Sequence, residues 1–391
     1  MLFVTFKEMY GISFTLLGTL VLVNFCTQLA IDLVFTFFTD KFNLALATRA
    51  MPFLSSVGMM VFCLVPWFFP DLAYVGLLVG TVIFSMSAGL AEVLLSPIVA
   101  ALPSKNPERD MSFLHSLYAI GVLIIVVISS VYFLIFGTQT WNYLMICLAV
   151  LPMISFVLFC LAPIPEMTLG KKNEKKSAKK RNTGLLLCVL CIFLGGAAEV
   201  TMTNWICAYL ETALDIPKLW GDLIGLALFA ALLGAGRLLY SRFGRNIYRV
   251  LFLGMVGASV CYIVAGISSV AVISTIACAM TGFCTSMLWP GTLIMMEEEF
   301  HDPGVSAYAL MAAGGDFGAS VAPQMLGIVV DGVTVSAWAS SLASSLSLTS
   351  EQVGMKVGML VAAIFPVLGA VAVFATKRYF AAQKNKEAAK I

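Results

Sequence analysis

The chain has 391 residues, 60% of them hydrophobic and 11% charged, with a net charge of +2 and a mean hydropathy of +0.98. Soluble domains carry roughly 25% charged residues, so this composition excludes a water-soluble globule and describes an integral membrane protein. Apolar runs of about 20 residues, the length that crosses a bilayer as helix, follow one another with no room for a separate soluble domain.

Eleven spans are expected, at 13–38, 49–69, 73–101, 112–136, 142–163, 184–210, 219–241, 248–268, 270–296, 305–331 and 355–376. The first twelve residues, MLFVTFKEMYGI, lack the basic start and full apolar run of a signal peptide. Between the fifth and sixth spans, GKKNEKKSAKKRN carries seven Lys or Arg against one Glu, and by the positive-inside rule this linker is cytoplasmic. With that orientation 19 of the 23 basic residues fall on the cytoplasmic side, and Lys7, Lys218 and Lys356 fall opposite. The expected organisation is an N-terminal half at 1–163, the linker at 164–183, and a C-terminal half with a cytoplasmic tail at 184–391.

The halves repeat. Gly89, Pro97 and Gly121 recur as Gly282, Pro290 and Gly314 at one offset of 193 residues, and FTDKFN at 38–43 is echoed by YSRFG at 240–244. The repeated Gly/Pro span is the fourth after the linker but the third from the start. The first half is therefore expected to be one helix short, MLFVTF being the end of that helix and the cause either a truncated chain or a late start; the alternative is a natural eleven-span protein.

Six plus six helices around a basic linker resemble the major facilitator superfamily, and the resemblance covers essentially the whole chain. Its loop motif G-x-L-A-D-R-x-G occurs in degraded form as TFFTDKFN: Asp40 and Lys41 hold the Asp and Arg places, while Thr36 and Asn43 replace glycines. GRLLYSRFG keeps Gly236, Arg237 and Gly244. Within the superfamily, GLAEVLLSP is similar to the fucose:proton symporter branch, where a Glu stands five residues before a Pro, as Glu92 and Pro97 do here. The resemblance implies an all-α, MFS-type fold and a glutamate active in proton coupling and sugar binding, alongside an Asp on a first helix that has no counterpart in this chain.

Charged groups near a bilayer centre cost on the order of 2.5–3.5 kcal/mol, so they face a cavity or a partner. Glu92 is expected to carry a proton or bind solute, against a purely structural hydrogen bond. Asn24, Gln28 and Asp32 recur every four residues on one helix face: Asn24 and Gln28 are read as cavity-lining, Asp32 as packing or gating. His115 is read as a proton relay or a structural donor, with Tyr118 one turn on. Glu199, Asn204 and Trp205 suit a polar ring, an indole offering an apolar face and a polar edge. Trp289 either stacks on a sugar ring or packs, and Arg237 and Asp316 are opposite charges that can pair as a gate or a static brace.

The expected function is secondary active transport of a small polar solute such as a sugar, by proton symport and alternating access. An efflux carrier for hydrophobic compounds, a non-transporting membrane protein and a decayed transporter are the alternatives. There is no P-loop and no H-E-x-x-H, and two His residues are too few for a His-based catalytic cluster, so no enzyme activity and no cofactor or metal are expected. Cys188 and Cys191 have no second ligand pair and are read as helix packing. The expected partners are the solute, protons and the lipid bilayer, without nucleic acid; a monomer in the cell membrane is expected.

Overall fold

Backbone groups in a bilayer core find no water, so a chain this apolar closes its hydrogen bonds inside helices. The computed structural model describes residues 2–38, 41–103, 107–165, 178–300 and 305–388, and among them there are helices and no strand. Among the described residues ten helices are long and apolar enough to cross a membrane, and a further apolar stretch, Ile120–Phe136, lies in the helix Pro107–Phe136. The chain divides into two compact units, Leu2–Lys171 and Lys172–Ile391.

The first unit holds α1 (Phe3–Tyr10), α2 (Phe14–Phe38), α3 (Leu44–Phe68), α4 (Ala73–Ala101), α5 (Pro107–Phe136) and α6 (Trp141–Leu161). The N-terminal stub is helical as far as Tyr10 and stops at Gly11, whose φ of 65° is the left-handed end that glycine takes without a Cβ clash. The Asn43 side chain accepts from the Leu46 amide at 3.0 Å and starts α3 at Leu44, five residues before the expected 49. Its cap lies outside the apolar stretch on which the expectation rested. A Cβ at Gly80 would sit 2.5 Å from the Phe62 nitrogen, so α3 and α4 meet almost backbone to backbone, as small residues permit in membranes. Phe35, Met51, Leu90, Leu94 and Ile98 knit α2, α3 and α4 into one core.

The second unit holds α7 (Ala178–Leu214), α8 (Lys218–Trp220), a π-helical segment (Gly221–Ala227), α9 (Leu228–Phe243), α10 (Ile247–Ile267), α11 (Ala271–Thr285), α12 (Leu288–Glu299), α13 (Val305–Thr334), α14 (Ala337–Leu346), α15 (Ser350–Ala362) and α16 (Ile364–Ala388). The apolar span Ala271–Met296 matches the expected 270–296 and carries a short irregularity at Ser286 and Met287, where Pro290 has no N–H to give the Ser286 carbonyl four residues back. The segment after the tenth span contains an extra short helix, α14, whose N-cap Ser336 accepts from the Ala339 amide at 3.4 Å. A reciprocal cap between Thr349 and Gln352 then starts α15.

Side chains such as Leu161, Leu238 and Ile135 stand exposed, 78%, 72% and 65% open, as an apolar coat suited to lipid. Cys188 and Cys191 are fully buried in the second unit's core, where Cys191 Sγ lies 3.5 Å from Thr376 Oγ1.

Candidate functional site

In the first unit the polar stripe of α2 meets a matching stripe on α4. The Ser85 hydroxyl donates to Asn24 Oδ1 at 2.7 Å, and Ser85 is fully buried. One turn further, a Cβ at Gly89 would lie 3.2 Å from the Gln28 Cα and 3.0 Å from the Ile31 Cβ. At the next turn, carboxylate oxygens of Asp32 and Glu92 lie within 4.8 Å of one another. The two helices thus run parallel, with 24 beside 85, 28 beside 89 and 32 beside 92. Gly89 permits the close approach that brings the two acids together.

Asn24, Gln28 and Asp32 are half-buried and Glu92 is exposed. The Gln28 amide reaches the Asn24 carbonyl at 3.5 Å, a long contact that leaves it free to turn elsewhere. Two ionised carboxylates this close repel, and one shared proton removes that repulsion. Lys41 is exposed, its ammonium 5.0 Å from the centre of the Phe38 ring. Asp40 lies outside the described residues, as do the side chains of His115 and Tyr118 on α5.

The second unit carries a different cluster. Arg237 of α9 donates through Nε to the Ser286 carbonyl at 3.0 Å, the acceptor that Pro290 leaves open, and its Nη2 lies 3.4 Å from Glu199 Oε1 on α7. Arg237 therefore pairs with Glu199, where the sequence had set Asp316 opposite it as a charge that can pair. Glu199 is mostly enclosed, its side chain 15% exposed, and its Oε2 is buried without a hydrogen-bond partner among the described residues. Asp316 is buried in α13.

Trp289 lies in a notch cut by glycines, where a Cβ at Gly315 would fall 2.4 Å from its ring and one at Gly196 would fall 3.1 Å away. Gly196 is three residues before Glu199, so the indole and the acid share the middle of α7. The Asn204 amide is spent on its own helix, donating to the Val200 carbonyl at 2.9 Å.

Trp205 corrects an expectation. It is fully buried and its indole N–H donates to the Pro323 carbonyl of α13 at 3.1 Å, so it braces two helices and presents no face to a solute. Sequence reading missed Ser85, which has the look of an ordinary packing serine, and the Ser286 carbonyl. The signal for the latter was present in Pro290, four residues on.

Long apolar helices in each unit, with carboxylates and an arginine set among them, define a polytopic membrane protein. The model of the Major Facilitator Superfamily matches residues 1–323, and the chain belongs to that superfamily of transporters. No curated protein matches the sequence. Among solved structures, the chain is similar to a bacterial homolog of the human lysosomal transporter Spinster in an inward-facing, unoccupied conformation, at 13% identity and a TM-score of 0.71, covering 96% of this chain and 92% of that one. It is also similar to the nucleoside transporter NupG, at 15% identity and a TM-score of 0.67 over 96% and 93% of the two chains. A D-xylose-proton symporter follows at 16% identity and a TM-score of 0.66, over 90% and 87%. Such identities speak for the fold.

Proposed function

We propose that this protein is a secondary active transporter that couples proton movement to the uptake of a small polar solute such as a sugar. The observation that carries the reading is the meeting of Asp32 and Glu92, two carboxylates within 4.8 Å on adjacent membrane helices. Such a pair is costly to keep in a bilayer without a task, and it can take up and release a proton as its surroundings alternate between dry and wet. Asn24 and Gln28 continue the same helix face and offer hydrogen bonds to hydroxyl groups.

In the second unit, Glu199 offers an acceptor oxygen and Trp289 an aromatic ring in the same neighbourhood, a combination that suits a hydroxylated ring. Proton symporters of D-xylose and, in E. coli, of fucose are among the proteins that share this fold, which supports the reading. The chain is read as a carrier and not an enzyme, in the cell membrane with its basic linker cytoplasmic.

The test is Glu92→Gln in reconstituted vesicles with an imposed proton gradient and a panel of labelled sugars. Accumulation against the gradient is expected to fall to background while exchange of internal for external sugar persists. Undiminished accumulation overturns the proton role, and no movement of any sugar or polyol by the wild type overturns the substrate class.

A further inference from the structure

Away from these clusters, α10 and α16 leave a long groove of about 530 Å³ on the outside of the second unit. Phe252, Val256 and Val260 form one wall and Val367, Val371 and Phe374 the other. All six are more than a third exposed. The helices come close beneath it, where a Cβ at Gly369 would fall 2.4 Å from Met255 Sδ. The Ser259 hydroxyl on the lining is spent on the Met255 carbonyl at 2.8 Å, so the groove offers no open polar group along its length.

One end is different. Arg249 lies three residues before Phe252 and Arg378 four residues after Phe374, so each continues its helix's groove-facing side by one turn. The helices run antiparallel, which brings the two arginines to the same end of the groove, in the first turn of α10 and just past the apolar part of α16. Both are exposed, and neither makes an ion pair among the described residues. The Arg378 guanidinium stands 4.6 Å over the Phe374 ring, which holds it at the mouth. Glu299 does not quench them, being taken by the Tyr248 hydroxyl and the Lys384 ammonium, each at 3.0 Å.

We propose that this groove is a binding site for one anionic phospholipid, its acyl chain between α10 and α16 and its phosphate on Arg249 and Arg378. The lining runs along about 12 Å of each helix, so the groove holds a stretch of acyl chain rather than a bulky group. A basic mouth on an apolar slot at the end of membrane helices selects negative headgroups over zwitterionic ones. A second copy of this chain would have to bring acids to the mouth; a zwitterionic lipid has the same phosphate but adds an ammonium to a mouth that already carries two cations.

The experiment is native mass spectrometry of the full chain, released from micelles supplemented with equal phosphatidylglycerol and phosphatidylethanolamine. The wild type is expected to retain phosphatidylglycerol in preference, and each of Arg249→Gln and Arg378→Gln to reduce that preference about fivefold, the factor that roughly 1 kcal/mol per basic group gives. Arg242→Gln, which removes a neighbouring exposed cation from α9, is expected to leave it unchanged. Equal retention of the two lipids, an equal loss on Arg242→Gln, or a lipid-free dimer that dissociates on Phe252→Lys overturns the assignment.

Discussion

Asp32 and Glu92 face each other across two parallel helices, their oxygens within 4.8 Å, at the end of a ladder whose first rung is the 2.7 Å bond from Ser85 to Asn24. The ladder makes the acids one unit. Asp32→Asn and Glu92→Gln are each expected to abolish proton-driven accumulation, and the double variant to be no worse than either single one. Additive losses in a double-mutant cycle of initial rates would show two independent roles.

Gly89 is the rung that sets the distance between those helices. Gly89→Leu places a branched side chain where even a Cβ would be 3.0 Å from Ile31. The expected cost is about 1–3 kcal/mol, as for other overpacked cores, seen as a lower thermal midpoint in detergent. Transport is expected to fall further than stability does, because the acid pair is spread. An unchanged midpoint would mean that α2 and α4 slide apart freely.

Arg237 and Glu199 form a half-enclosed ion pair at 3.4 Å. Removing the cation by Arg237→Gln leaves a buried carboxylate without its counter-charge, a loss on the order of 3 kcal/mol for a well-buried pair and smaller here because Arg237 is 35% exposed. Glu199→Gln added to it is expected to restore most of the midpoint without restoring transport. Full recovery of transport would reduce the pair to a brace.

Trp289 and Gly315 fit as knob and notch. Gly315→Ala puts a methyl 2.4 Å from the indole, so the single variant is expected to lose stability, and Trp289→Leu in the same chain to regain part of it. Sugar exchange by that double variant, compared with Gly315→Ala alone, reads whether the ring serves the solute as well as the packing.

The helices were legible because each apolar run is bounded by polar or Gly/Pro residues, and the α2 stripe because Asn24, Gln28 and Asp32 keep a four-residue period. The α4 stripe was hidden. Ser85 and Gly89 read as small packing residues, and only their neighbour Glu92 carried a charge to notice. The partner of Arg237 was a choice between acids on different helices, Glu199 and Asp316, and helix adjacency is not written in any one segment. Trp205 and Trp289 were both plausible ring-stackers; what separates them is Pro323, 118 residues away, which supplies the carbonyl that fixes Trp205. The irregularity before Pro290 was foreseeable from the missing N–H, yet Pro97 at the matching place lies in α4, which runs unbroken to Ala101. The same residue type therefore has two outcomes, set by what surrounds it.

The unengaged oxygen of Glu199 bears on what the proposed carrier would accept. With Oε1 held by Arg237 and Oε2 buried without a hydrogen-bond partner among the described residues, the carboxylate keeps one unused acceptor that a donor can fill. A solute bringing a hydroxyl or amine to that point gains a charge-assisted bond, and its deoxy analogue forfeits about 1–3 kcal/mol, a factor of roughly 5 to 150 in affinity. Under the proposed function, a carboxylated or phosphorylated relative of the sugar would meet a like charge instead. On that same proposal, discrimination between a sugar and its acid would rest on this one oxygen.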